Sequence, residues 1–336
     1  MNASGTIRAE LVRHSRFSFH TGRLSQIPNW PNLMPCSRLE NLDNYGMESN
    51  KEELAYDAFD VEKGGFVEIS IEEESRLSVG QKWKRLFTEF PYRDPTWLVA
   101  IVFVIGSIDF TINAFFILLP MLEPSTAFET LPTVAIPATI FIGAFMFTAA
   151  GILDMFGSFN ADSGLFQIAD SEGGGKRLRH KPSLLGSDGW MWRPTWRKFK
   201  ELLLTNKPFQ AGLMQLFGGV ILTISAFAGF PGFLDPTSPV FPVVVFAPQV
   251  FGGFLFFLAN AMLVIGCEQD RWWRPKPLSA SWQAAFQNSI GGLGFALTGV
   301  FLLQDRALES AIATFVGSWA FLIGSLLGWY AIMDIC

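Results

Sequence analysis

Asp109 is the one charged side chain well inside any of six long apolar stretches, and a carboxylate there could carry a proton or hold a cation. It stands 12 residues beyond Trp97, or roughly 18 Å along a helix axis, which is close to mid-bilayer. A charge at that depth costs at least about 2.5–3.5 kcal/mol, so the side chain is expected to face other helices. Asn113 follows one turn later on the same face. In the internal repeat described below, Asn113 corresponds to Ser225 and Thr298. A polar position supplied three times could line a common axis, as a proton- or cation-coupled solute path would require. An Asp–Asn hydrogen-bonded staple between helices fits the same residues equally well. Gln215 and Asn288 also match each other, but Phe103 breaks that layer.

Other chemistries find little support. His14, His20 and His180 all lie outside the apolar stretches, which leaves haem ligation and an intramembrane zinc site unsupported. The chain shows no Ser/His/Asp set, P-loop or HExxH pattern. GGLG at Gly291 lies inside an apolar stretch with no basic residue after it, so it does not cradle phosphate. The expectation is a protein that is not an enzyme and has no cofactor and no metal. Cys36, Cys267 and Cys336 are odd in number and fall on one side of the apolar stretches, so they are expected to stay reduced. At Cys267 a small apolar residue ending a helix is favoured over a site of acylation.

The apolar stretches lie near 97–122, 134–154, 211–230, 241–265, 284–303 and 311–332 of the 336 residues. Each is long enough to cross a hydrocarbon core, which takes about 20 helical residues. Strands are excluded, because lipid cannot satisfy open edge amides. The fold class is therefore an all-α membrane protein of six transmembrane helices. Twenty-four of the 25 Lys and Arg residues fall on one side of these helices, and Arg306 is the exception. The positive-inside rule then places both termini in the cytosol. The net charge of −5 mixes an acidic tail with basic loops and points to no nucleic-acid partner.

FQAGLMQLFGG from Phe209 aligns without gaps with WQAAFQNSIGG from Trp282, and the stretch from Trp97 fits the same frame more loosely. In that frame Gly106 and Ser107 match Gly218 and Gly219, then Gly291 and Gly292. Gly143, Phe147 and Ala150 likewise match Gly252, Phe256 and Ala259, then Gly317, Phe321 and Gly324. This pattern reads as three parallel two-helix hairpins, each entering from and returning to the cytosol. The glycines are expected to serve helix packing, since small residues let backbones approach where no hydrophobic effect drives association. Three two-helix repeats invite comparison with mitochondrial carriers. The P-x-[DE]-x-x-[KR] signature is missing, however, and the repeat offsets of 112 and 73 residues are unequal.

FVIGSIDF at Phe103 and FVGSWAFLIGSLLGW at Phe315 resemble the F-x-x-G-S helices of the YrhK-like two-helix membrane module. The whole 81–336 core resembles fungal integral membrane proteins assembled from such hairpins. The middle copy departs from the pattern, with Gly218-Gly219 and Asn260 where Ser is expected. The resemblance implies a multi-pass membrane location and supplies no activity.

The resulting organisation begins with a disordered cytosolic tail, 1–80, acidic from residue 40. An interfacial segment and first hairpin follow over 81–154, then a basic cytosolic loop with its own interfacial segment over 155–208. The second hairpin spans 209–266, a second basic loop 267–282 and the third hairpin 283–336. Between Glu40 and Glu74 the tail holds twelve acids against Lys51 and Lys63, too polar to order itself. Such a tail is suited to contacting cytosolic proteins. Trp83, Trp192, Trp196, Arg197, Lys198, Trp273 and Arg274 flank the helix starts. There they are expected to sit in the headgroup layer, with cations toward anionic lipid. Single-cysteine labelling tests the orientation: reporters placed between Lys176 and Lys200 should resist membrane-impermeant reagents added from outside, whereas reporters in 231–240 should react.

Overall fold

The computed structural model describes residues 78–161, 165–169, 176–180, 183–268 and 273–333. The expectation of an unstructured tail falls, up to residue 77, outside these described residues. Ser78 already caps the first helix, α1 (Val79–Thr88), in a reciprocal capping box with Gln81. Six helices long and apolar enough to cross a membrane follow, the core of a multi-pass membrane protein. They are α2 (Pro95–Leu122), α3 (Ile136–Asn160), α5 (Lys207–Ala228), α6 (Ala247–Leu263), α7 (Ala280–Leu303) and α8 (Ala307–Ile332). A short amphipathic helix, α4 (Trp196–Thr205), precedes α5.

Several of the helices begin where the sequence supplies a cap. Asp94, Thr195, Asn206 and Ser279 accept from backbone N–H groups at the starts of α2, α4, α5 and α7. Pro95 and Pro208 stand in the first turns of α2 and α5, where the missing N–H costs nothing. The π turns Leu131–Ala135 and Pro242–Phe246 lead into α3 and α6, each ending two residues before a proline, Pro137 and Pro248. The link from α7 to α8 is tight and turns on Asp305, whose φ is 56°. This left-handed conformation is one that Asp tolerates.

The sequence ends the second span at Asp154, but α3 runs on to Asn160. Phe159 buries against Phe199 and Phe209, and the Asn160 side chain exchanges hydrogen bonds with the backbone of Met191. Asp154 is consequently buried inside the helix. Within the basic loop an antiparallel strand pair, β1 (Leu165–Ala169) and β2 (Lys176–His180), sets Leu165 opposite His180. An all-helical reading did not anticipate this pair, which lies outside the six spans.

The six long helices pack as a closed ring in chain order, with α8 returning to α2. Within α2–α3, α5–α6 and α7–α8, glycine and a large side chain interlock reciprocally. A Cβ on Gly106 would lie 2.9 Å from the Phe147 ring, and one on Gly143 would lie 2.8 Å from Phe110. Gly218 meets Phe256 and Gly252 meets Leu222 in the same way, as do Gly291 with Phe321 and Gly317 with Phe295. The neighbouring position faces the next helix pair instead. Gly219 packs on the Thr148 backbone and Gly292 on that of Phe257. Ser107 closes the ring by a 2.8 Å hydrogen bond to Ser325. Over this seam α1 lays Leu86 among Trp97, Ile332 and Met333, and Arg85 donates to the Met333 carbonyl.

Close backbone approach makes some glycines irreplaceable. Gly292→Ala would drive a methyl into the Phe257 amide of α6, where main chain cannot yield cheaply. The expected loss is about 1–3 kcal/mol, read as a lower melting temperature of the detergent-purified protein. Gly80→Ala, with nothing within 4 Å, should leave it unchanged.

Candidate functional site

The axis of the ring is where all six helices meet, and aromatic rings fill its middle. Phe147, Phe256 and Phe321 form a closed triangle with ring centroids 5.5, 5.8 and 5.1 Å apart. Phe110, Leu222 and Phe295 make a second layer on this one, with Phe110 and Phe295 4.8 Å apart and the Phe110 ring 5.0 Å from Phe147. The pairs are mostly edge-to-face, the arrangement that the ring quadrupoles favour. Each side chain is held by the glycine opposite it. The position of these residues, each four residues after a glycine on its own helix, is the signal that could have found the plug.

Toward the hairpin turns, the plug forms the floor of a cavity of about 210 Å³ lined by residues of all six helices. Its wall is mainly apolar, with Ile117, Ile136, Ile140 and Ala144 on one side. Its polar groups are Ser225, Gln249, Thr298, Ser310 and Thr314. On the other side of the plug lies a cavity of about 20 Å³, the size of one water molecule, between Gln215, Asn288 and Ser325. Gln215 donates to Asn260 across 3.3 Å, and Oδ1 of Asn288 is buried with no hydrogen-bond partner. Polar layers thus flank an apolar constriction.

Of the four residues singled out for chemistry, only Ser225 and Thr298 come to the same cavity. Asp109 is half-buried beside the Gly143 backbone, one residue away from the axial Phe110, and its Oδ2 is buried without a partner. It does not line the axial cavity. Asn113 is buried and donates to the Ile136 carbonyl at 2.9 Å and to Thr139 at 2.8 Å. Ser225 donates to the Val245 carbonyl at 2.6 Å. Thr298 shares a hydrogen bond with Thr314, and its carbonyl accepts from Ser310. All three therefore tie the first helix of a pair to the second, near the turn. Ser225 and Thr298 also reach the cavity wall.

Cations and indoles gather at the ring end away from the hairpin turns. Trp83, Trp192, Trp196 and Trp273 are each more than half exposed there. Trp83 stacks on Phe87 and meets Tyr330, and Trp196 stacks on Phe199. Arg197 and Lys198 open α4 alongside Trp196, and Arg274 adjoins Trp273. Cys267 lies in the π turn Val264–Glu268, and its side chain falls outside the described residues. Among the described residues no three His, Cys, Asp or Glu side chains could share a metal ion. Compared with family models, with curated proteins and with solved structures, the chain finds no match in any of the three.

The staple geometry makes a quantitative expectation. Asn113→Ala and Ser225→Ala should each lower stability by about 0.6–1.7 kcal/mol, the range of interhelical hydrogen bonds in membranes. Equilibrium unfolding in mixed micelles measures it.

Proposed function

We propose that this multi-pass membrane protein is a non-catalytic, non-conducting scaffold that presents its basic end to the cytosol. There the tail and basic loops contact lipid headgroups and partner proteins. The observation that carries this reading is the aromatic triangle of Phe147, Phe256 and Phe321, which fills the middle of the ring axis. The exposed tryptophans beside Arg197, Lys198 and Arg274 support headgroup contact, indoles at the boundary and cations toward anionic lipid. Because all three helix pairs place the same frame positions in the same contacts, three copies of one hairpin account for the ring. The resemblance to YrhK-like modules has the same implication.

A second reading, a gated solute path, is favoured by the cavity that ends on the plug and by the polar layer beyond it. Hydrophobic constrictions can gate by dewetting. Proteoliposomes separate the two. The scaffold reading expects proton and alkali-cation flux no greater than in empty vesicles, with Asp109→Asn making no difference. Flux above that background, lost in Asp109→Asn, would replace it with the transport reading.

A further inference from the structure

The cavity at the turn end contains one polar side chain that the fold does not use. Gln249 projects from α6 into it and is only 9% exposed. Its amide makes no hydrogen bond to the protein, whereas the other polar groups of the wall are engaged. Ser225 donates to Val245, Ser310 donates to the Thr298 carbonyl, and Thr298 and Thr314 bond each other. A buried amide with two donors and an acceptor idle is costly. In the repeat frame Gln249 corresponds to Ile140 and Thr314, and all three line the cavity. Only the middle copy supplies an amide. An apolar side chain would fill that place without penalty, so the choice of glutamine calls for a binding partner.

We infer that this cavity is a binding site for a small, neutral, mainly apolar molecule whose single hydroxyl or carbonyl pairs with Gln249. Neutrality follows from the wall, which contains no charged side chain. An ion there would lose its hydration without compensation. Size follows from the volume. An engineered apolar cavity of about 150 Å³ takes benzene, so about 210 Å³ accommodates a substituted ring or short branched chain. The apolar part would rest on Phe110, Leu222 and Phe295, and the polar group would face α6. The rim at the turn end includes Met121 and Ala307. Met121 is unbranched and can move aside for passage. The inference rests on the cavity alone and holds whether or not the axis ever conducts.

A pair of matched probes tests it. p-Cresol and p-xylene share shape and differ in one hydroxyl, so their uptake by the full-length protein in nanodiscs separates binding from partition into lipid. Equilibrium dialysis against protein-free discs should show saturable p-cresol uptake at one site per chain. The affinity of p-xylene should be lower by about tenfold, as expected for leaving a buried amide unpaired. Gln249→Leu should weaken p-cresol by about tenfold and leave p-xylene as tight or tighter. Gln249→Met serves the same purpose if the leucine variant elutes abnormally on size exclusion. Absence of saturable uptake for both probes would overturn the site. Equal affinity of the two probes, unchanged by either substitution, would overturn the role of Gln249 and with it the proposal.

Discussion

The reciprocal fit of glycine against phenylalanine at the ring axis holds this molecule together. Between helices in lipid there is no hydrophobic gain from association, since the tails are as apolar as leucine. Attraction must come from many close contacts, and these need a small residue opposite each large one. Gly106, Gly218 and Gly291 give the Phe147, Phe256 and Phe321 rings their seats, while Gly143, Gly252 and Gly317 seat Phe110, Leu222 and Phe295. Six side chains thereby converge on the axis, and each is seated by a glycine of its own helix pair. The lock within a pair and the closure of the ring are one construction.

The polar residues follow from that construction. Once the axis is occupied by rings, hydrogen-bonding groups have to be satisfied elsewhere, and each helix pair satisfies them near its own turn. Asn113, Ser225 and Thr298 bond toward α3, the π turn before α6, and α8 respectively. Thr148 and Thr223 bond across the α3–α5 seam, and Ser107 and Ser325 across the α8–α2 seam. The groups left over include the Gln249 amide in the cavity and the buried oxygens of Asn113, Asn288 and Asp109. Function is most economically sought at such places, because packing alone does not explain polar atoms kept from water without partners.

The periphery is built differently. α1 and α4 are short, amphipathic and rich in Trp with Lys or Arg, and both precede the long helices at the same end of the ring. α1 also serves the fold, since Leu86 covers the joint between the first and last spans. The short amphipathic helix ahead of the first span therefore also covers the point where the ring closes.

The six spans were legible from the chain, because helix length and apolar composition are local properties. The sequence alignment also set Asn113, Ser225 and Thr298 side by side as counterparts. Their purpose was not legible, since a residue on the inner half of a helix can face the axis or its hairpin partner, a difference of about 100° of rotation per residue. Asp109 and Phe110 show this directly: neighbours in sequence, one lies beside α3 and the other at the centre. The end of α3 was misplaced at Asp154 because the residues that carry it onward, Phe199 and Phe209, come from the next segment of chain. The cavity and its idle glutamine belong to no single helix. Only closure of the ring brings six walls together, and that closure is set by contacts between residues more than 200 positions apart, such as Ser107 with Ser325.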